Sequence, residues 1–164
     1  MARGLAGAVL LAAAASALAG CAARGPLLPP VVADRHASHV EIEATPFFPQ
    51  DQYQCGPAAL ATVLAAAGVA VTPEPLVPAI YLPGRRGSLQ PELLAATRQY
   101  DRIPYVLPGS TDALVATLAG GFPVLVLQKL GAGPLPGWHY AVVVGYDGPR
   151  DRVVLRSGTE RRKE

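Results

Sequence analysis

The last third of the chain is a succession of short apolar runs divided by turns. The runs cover residues 122–127, 138–146 and 152–156, and the segments between them are rich in Pro and Gly. Apolar runs of this length between such turns are typical of strands buried in a sheet. Asp147-Gly148 is a hairpin-type dipeptide, so the last two runs are predicted to pair antiparallel. The C-terminal part of the chain is therefore predicted to form an antiparallel sheet.

Helix-forming segments dominate the part of the chain before these runs. The clearest is 56–69, where Pro57 suits the first helical turn and Gly68 suits a C-terminal cap. The alternating segment 39–44 predicts an edge strand ahead of this helix. Helices followed by an antiparallel sheet predict an α+β fold with N-terminal helices packed on a C-terminal sheet. Further helices are expected at 76–80, from Ser88 to Thr97, and from an N-cap at Thr111 or Asp112 to Leu118.

The first twenty residues have the composition of an export leader. Arg3 precedes an apolar run that ends at Gly20 and is interrupted by small residues too often for a comfortable membrane span. Leu18-Ala19-Gly20-Cys21 resembles the lipobox of bacterial lipoproteins, which implies cleavage before Cys21 and a lipid anchor on it; a membrane-anchor helix is the alternative. We expect a leader at 1–20, a linker at 21–38 and one domain at 39–164, since 164 residues leave room for one domain.

Charge and histidine placement exclude two classes of ligand. The formal net charge is +2, and the scattered arginines form no basic stripe with interleaved aromatic residues, so no nucleic acid is expected. His36 and His39 suggest a metal site, but no cysteine or carboxylate cluster accompanies them. We therefore expect neither a metal nor another cofactor.

The number of cysteines leaves one thiol, that of Cys55, without a predicted partner. The chain has two cysteines, and the lipobox accounts for Cys21, so Cys55 is left without a partner in an oxidising compartment. Cys55 lies where a loop enters the first long helix, and helix N-termini favour the thiolate. Gly56, Ala58 and Ala59 are expected to leave room for an attacked carbonyl. This pattern indicates a nucleophilic cysteine.

A nucleophilic cysteine needs a base and oxyanion donors. Of the three histidines, His139 is the candidate base because a buried strand holds it, whereas His36 and His39 lie in or beside the linker. The Cys55 backbone N–H is one candidate oxyanion donor, and the Gln50 amide is preferred as the second because it follows the rigid segment 47–49. Gln52 and Gln54 are the competing amides.

Two segments of the chain resemble the two signatures of the bacteriocin-processing, double-glycine-leader peptidases and their stand-alone relatives. They are Gln50-Asp-Gln-Tyr-Gln-Cys55-Gly-Pro-Ala-Ala-Leu60 and the segment from Trp138 to Tyr146. The resemblance implies a papain-like fold with Cys55 as nucleophile, His139 as general base and acid, and Gln50 as oxyanion stabiliser. At the third catalytic position these enzymes carry Asp or Asn, whereas this chain has Ser157, as in a lipoprotein subset of the family. Asp147 and Asp151 are possible substitutes.

These features together predict a cysteine peptidase anchored in the bacterial cell envelope, facing the periplasm or the exterior and cleaving peptides or proteins. A catalytically weak relative that binds peptides in the same groove is the alternative, and an acyl-transfer activity of the transglutaminase type is a third interpretation. Resembling proteins continue beyond the last strand, so a truncated product with an exposed sheet edge also remains open.

Overall fold

A computed structural model of the chain describes residues 39–50, 53–131 and 137–164. The predicted leader at 1–20 and linker at 21–38, including Cys21 and His36, lie outside the described residues, as does Gln52. Within the described ranges, no helix has both the length and the apolar character needed to cross a bilayer.

Apart from the short first strand, the helices precede the strands of a five-stranded antiparallel sheet, so the predicted α+β class is confirmed. Within the described residues, three short 3-10 turns lie between the regular elements, at Glu74–Leu76, Pro83–Arg85 and Gly148–Arg150. The elements follow in the order β1 (His39–Glu41), α1 (Cys55–Ala66), α2 (Val77–Ile80), α3 (Gln90–Gln99), α4 (Thr111–Ala119), β2 (Val124–Leu130), β3 (Gly137–Asp147), β4 (Arg152–Ser157) and β5 (Glu160–Lys163).

The long strand β3 organises the sheet. It pairs antiparallel with β4 on one side and with β2 and β1 on the other, β2 along its first half and β1 at its end, while β5 pairs with β4. Strand β3 comes very close to β1 at Gly145, where a Cβ atom would lie 2.5 Å from the Val40 carbonyl oxygen. Glycine at this position therefore permits the predicted edge strand to pair.

Both faces of the sheet are covered, which explains why β3 is apolar without interruption. Tyr140, Val142 and Val144 pack with α1, α2 and α3 in one core cluster. Ala141 and Val143 point to the other face and pack with Val115 and Leu118 of α4, together with Tyr146 and Leu155. The sheet thus forms a rigid support for any side chain at its ends.

The C-terminus of α1 has the predicted glycine cap. Gly68 has φ of +81°, and its N–H donates to the Ala65 carbonyl while the Val69 N–H donates to the Leu64 carbonyl. These two hydrogen bonds form a Schellman motif, which favours glycine because the left-handed conformation disfavours a Cβ atom.

Several local predictions need correction. Ser110, and neither Thr111 nor Asp112, caps α4, because its side chain accepts from the Ala113 N–H at 3.2 Å. The Asp147-Gly148 connection is a 3-10 turn that ends with Asp151 at φ of +51°, and not a two-residue hairpin. Helix α3 begins at Gln90 after an N-cap at Leu89 and not at Ser88. The charged strand β5, Glu160–Lys163, has no apolar alternation and was not predicted.

Candidate active site

A cavity of about 250 Å³ lies where the N-terminus of α1 meets the beginning of β3. The predicted nucleophile, base and oxyanion donor share this cavity, although they come from three separate segments of the chain. Cys55, His139 and Gln50 line it, together with Tyr53, Arg86, Trp138 and Gly158.

Cys55 is the first residue of α1 and the free thiol among the described residues. It is half-buried and packs against the edge of the core beneath α1. Its position at the start of a 12-residue helix places it beside backbone N–H groups that have no partner within the helix. Those groups and the helix dipole favour negative charge on the sulfur.

Gly56 has a different role from the one expected. A Cβ atom on Gly56 would lie 2.3 Å from Ser88 Oγ and 3.8 Å from Tyr140 Cδ2. The space left by this glycine is therefore used by the Ser88 side chain, whose hydroxyl is buried, and not by a substrate carbonyl. Gly56 instead allows the segment before α3 to pack directly behind the nucleophile.

His139 is oriented by Ser157. The His139 Nε2 and Ser157 Oγ atoms are 3.0 Å apart, and Ser157 is buried at 6% exposure at the end of β4. This contact occupies Nε2, and among the described residues Nδ1 has no hydrogen-bond partner. Asp147 and Asp151 are engaged elsewhere: Asp147 accepts from Arg150 Nη1 at 2.6 Å and Asp151 from Tyr146 Oη at 2.7 Å.

The environment of His139 favours the neutral imidazole. Burial lowers the pKa of His139 below its usual 6.5, and the positive charge of Lys163 on β5 lowers it further. A neutral ring can accept a proton at neutral pH, which a general base requires. Behind the thiol, burial raises the pKa of Tyr140, with contributions from Cys55 and Glu92, so this phenol stays protonated.

Two contacts hold Gln50 at the cavity. Its backbone N–H donates to the Gly158 carbonyl at 3.0 Å, and its side-chain Nε2 donates to the Tyr140 carbonyl at 3.4 Å. One amide N–H therefore points toward the strand next to His139, and the second remains for another acceptor. Gln54 immediately precedes α1 and does not line the cavity.

A buried arginine stabilises the turn that carries Ser157. Arg156 is 4% exposed and donates from Nη1 to the Arg161 carbonyl at 2.6 Å and from Nη2 to the Glu43 carbonyl at 3.3 Å. These bonds link β4 to β5 and to the segment leading to Gln50. Gln50, Ser157 and His139 are thus held by one connected set of contacts.

Tyr53, Arg86 and Trp138 line the cavity without having been predicted from the sequence. Trp138 is adjacent to the predicted base, and Tyr53 is two residues before the predicted nucleophile, so proximity in sequence was a signal for both. No local signal marked Arg86, because a long intervening segment separates it from both motifs. Within the described ranges, no cluster of three metal-ligating side chains occurs.

Comparisons with known proteins identify the family and the fold of the chain. A family model, described as Peptidase_C39 like family, matches residues 42–160. The chain is similar to the crystal structure of a candidate C39-like peptidase from Bacillus anthracis, with a TM-score of 0.59 and 18% identity over 75% of this chain and 84% of that chain. No curated protein matches the sequence. The structural likeness confirms the predicted papain-like α+β fold.

Proposed function

Because the chain belongs to the Peptidase_C39 like family across residues 42–160, we propose that it is a cysteine peptidase with Cys55 as the nucleophile and His139 as the general base. The observation that carries this proposal is one cavity lined by Cys55, His139 and Gln50, with the His139 ring held by Ser157 at 3.0 Å. A nucleophile, a base and a group that orients the base are the minimum for this chemistry.

In the first half of the reaction, Cys55 Sγ attacks the carbonyl carbon of the scissile peptide bond. His139 Nδ1 accepts the thiol proton, and the negative charge moves to the carbonyl oxygen. The Cys55 backbone N–H and the free N–H of Gln50 are the proposed donors to that oxygen. The C–N bond then breaks, and the imidazolium gives its proton to the leaving amine, which leaves a thioester on Cys55.

In the second half, water attacks the thioester carbonyl carbon while His139 accepts a proton from that water. The C–S bond breaks, the carboxylic acid leaves, and the proton returns to the sulfur. Ser157 accepts a hydrogen bond from His139 Nε2–H in this scheme, which keeps the correct tautomer. Ser157 carries no charge to stabilise the imidazolium, so slower turnover is expected than with Asp in this place.

The test is to look for new peptide termini. The protein carrying Cys21→Ala has Cys55 as its one remaining cysteine, so iodoacetamide modifies a single thiol. We expect this protein to generate new N- and C-termini in a mixture of synthetic peptides, as detected by mass spectrometry. The same protein alkylated beforehand should generate none. Equal product from both preparations would contradict the proposal.

We also propose that the protein is an envelope lipoprotein, which is supported by the lipobox-like tetrad ending at Cys21. Each buried methylene of an acyl chain contributes about 0.8 kcal/mol to membrane binding, so two or more chains anchor stably. Cys21→Ala is therefore expected to move the protein from the membrane fraction to the soluble fraction, measured by immunoblotting of fractionated cells. Retention in the membrane fraction would exclude a lipid anchor at Cys21.

A further inference from the structure

We propose that Arg86 binds a carboxylate of the peptide substrate beside Cys55, so that the enzyme selects acidic peptides. This inference rests on the proposed peptidase function and names the substrate class for the same cavity. Arg86 and Cys55 line that cavity together, although Arg86 follows the 3-10 turn at Pro83–Arg85 and Cys55 begins α1.

The backbone around Arg86 is built to present this side chain. A 3-10 turn at Pro83–Arg85 precedes it, and the Leu82 N–H donates to the Gly87 carbonyl at 2.8 Å, which closes the loop. Arg86 itself has φ of +50°, in the left-handed region that non-glycine residues rarely adopt. The closed turn gives the backbone of Arg86 a defined position beside the cavity.

A tyrosine at the cavity supports the guanidinium. The Arg86 Cζ atom lies 5.7 Å from the centroid of the Tyr53 ring, within cation–π distance. Tyr53 is partly exposed and lines the same cavity. The N–H donors of a guanidinium form a planar fork that matches the two oxygens of a carboxylate.

The charge of the cavity favours an anionic ligand. Among the described residues that line it, Arg86 has a permanent charge and none is acidic. Within the described part of the chain, no ion pair involves Arg86. A lysine or arginine of a substrate would be repelled, whereas a carboxylate would be attracted.

This carboxylate has two possible sources in a peptide, an Asp or Glu side chain or the free C-terminus. Both present the same planar anion to the guanidinium. The experiment therefore uses two sets of synthetic heptapeptides. In the first set, every peptide is capped at both ends and carries a single Glu, which is placed at each position in turn. Each of these peptides is paired with one that carries Gln at the same position. The other set compares a free C-terminal acid with the C-terminal amide.

Binding is measured on Cys55→Ala protein, so the result does not depend on cleavage. Trp138 is the single tryptophan of the chain and lines the cavity, so its fluorescence reports occupancy. We expect one Glu peptide, or the free acid, to bind about fivefold more tightly than its neutral partner, as for a partly exposed ion pair. In 1 M NaCl, where the Debye length is about 3 Å, this preference should largely disappear.

Arg86→Gln should abolish the preference, and Arg86→Glu should reverse it toward peptides that carry Lys. Arg85→Gln is the matched control, because Arg85 is exposed on the same turn but does not line the cavity, and it should keep the preference. Equal binding of every matched pair, or no fluorescence change in a protein with a normal circular dichroism spectrum, would overturn the inference. If the protein bound acidic peptides more tightly but cleaved no peptide, the proposed role of Arg86 would stand and the peptidase function would be contradicted.

Discussion

Replacing either Cys55 or His139 with alanine is expected to lower kcat/KM for a cleaved peptide by about a thousandfold or more, in line with the loss of a nucleophile or its base. The two side chains line one cavity, and in the proposed mechanism they act on the same proton. The double variant should therefore be about as active as either single variant, because groups that act as a unit are not additive. Steady-state kinetics with a peptide found in the cleavage assay provides the measurement.

Ser157 gives a graded control for this prediction. Ser157→Ala removes the partner of His139 Nε2 but leaves the ring in place, so a loss of about tenfold is expected for one hydrogen bond of roughly 1.4 kcal/mol. Thr159→Ala, at an exposed residue two positions later, should have no effect. If His139→Ala retained activity close to that of the wild type, the assignment of His139 as the base would be wrong.

The pH profile of the same reaction tests the environment of His139. Because the pKa of His139 is lowered by burial and by Lys163, the neutral base persists to lower pH, and the acidic limb of kcat/KM should lie below pH 6.5. Lys163→Gln removes a positive charge that disfavours the imidazolium, so the pKa of His139 should rise and the acidic limb should move to higher pH. Lys129→Gln, at an exposed lysine on β2, should leave it unchanged. An acidic limb above pH 6.5 would contradict a depressed pKa for this base.

Gly145→Ala is expected to destabilise the protein by about 3 kcal/mol, at the high end of the cost of overpacking. The new Cβ would lie 2.5 Å from the Val40 carbonyl oxygen and 3.1 Å from Glu41 Cα. These are backbone atoms, so the contact can be relieved only by separating β1 from β3. Urea unfolding at constant m-value measures the loss, and β1 should lose amide-exchange protection first.

Gly56→Ala offers an informative comparison. Its Cβ would also meet atoms below 3 Å, but these belong to the Ser88 side chain. Ser88→Gly should therefore rescue Gly56→Ala, whereas no single side-chain change should rescue Gly145→Ala. Gly84→Ala serves as the control, because nothing lies within 4 Å of a Cβ there. Gly145→Ala with wild-type stability would show that β1 does not pack against Gly145 as described.

Local chemistry determined most of the architecture. The apolar run that became β3, the Pro57 and Gly68 signals of α1, and the change from helix to strand patterns all depend on residues close in sequence. Periodicity and capping act over a few residues, so a single sequence displays them. The same holds for Cys55 as a candidate nucleophile, because its position at a helix start is local. Strand β5 escaped prediction because charged residues form it by pairing with β4 and not by alternation.

Tertiary structure alone decided which side chains meet. The choice of Ser157 over Asp147 or Asp151 as the partner of His139 depends on how β4 aligns with β3, and the contact of Gln50 with Tyr140 spans 90 residues. Arg86 reaches the cavity through a turn that carries no sequence motif. Contacts of this kind follow from chain packing over long separations, which spacing along the sequence does not encode. Thus the sequence specified the elements and the candidate nucleophile and base, and only the packing of those elements defined the cavity around them.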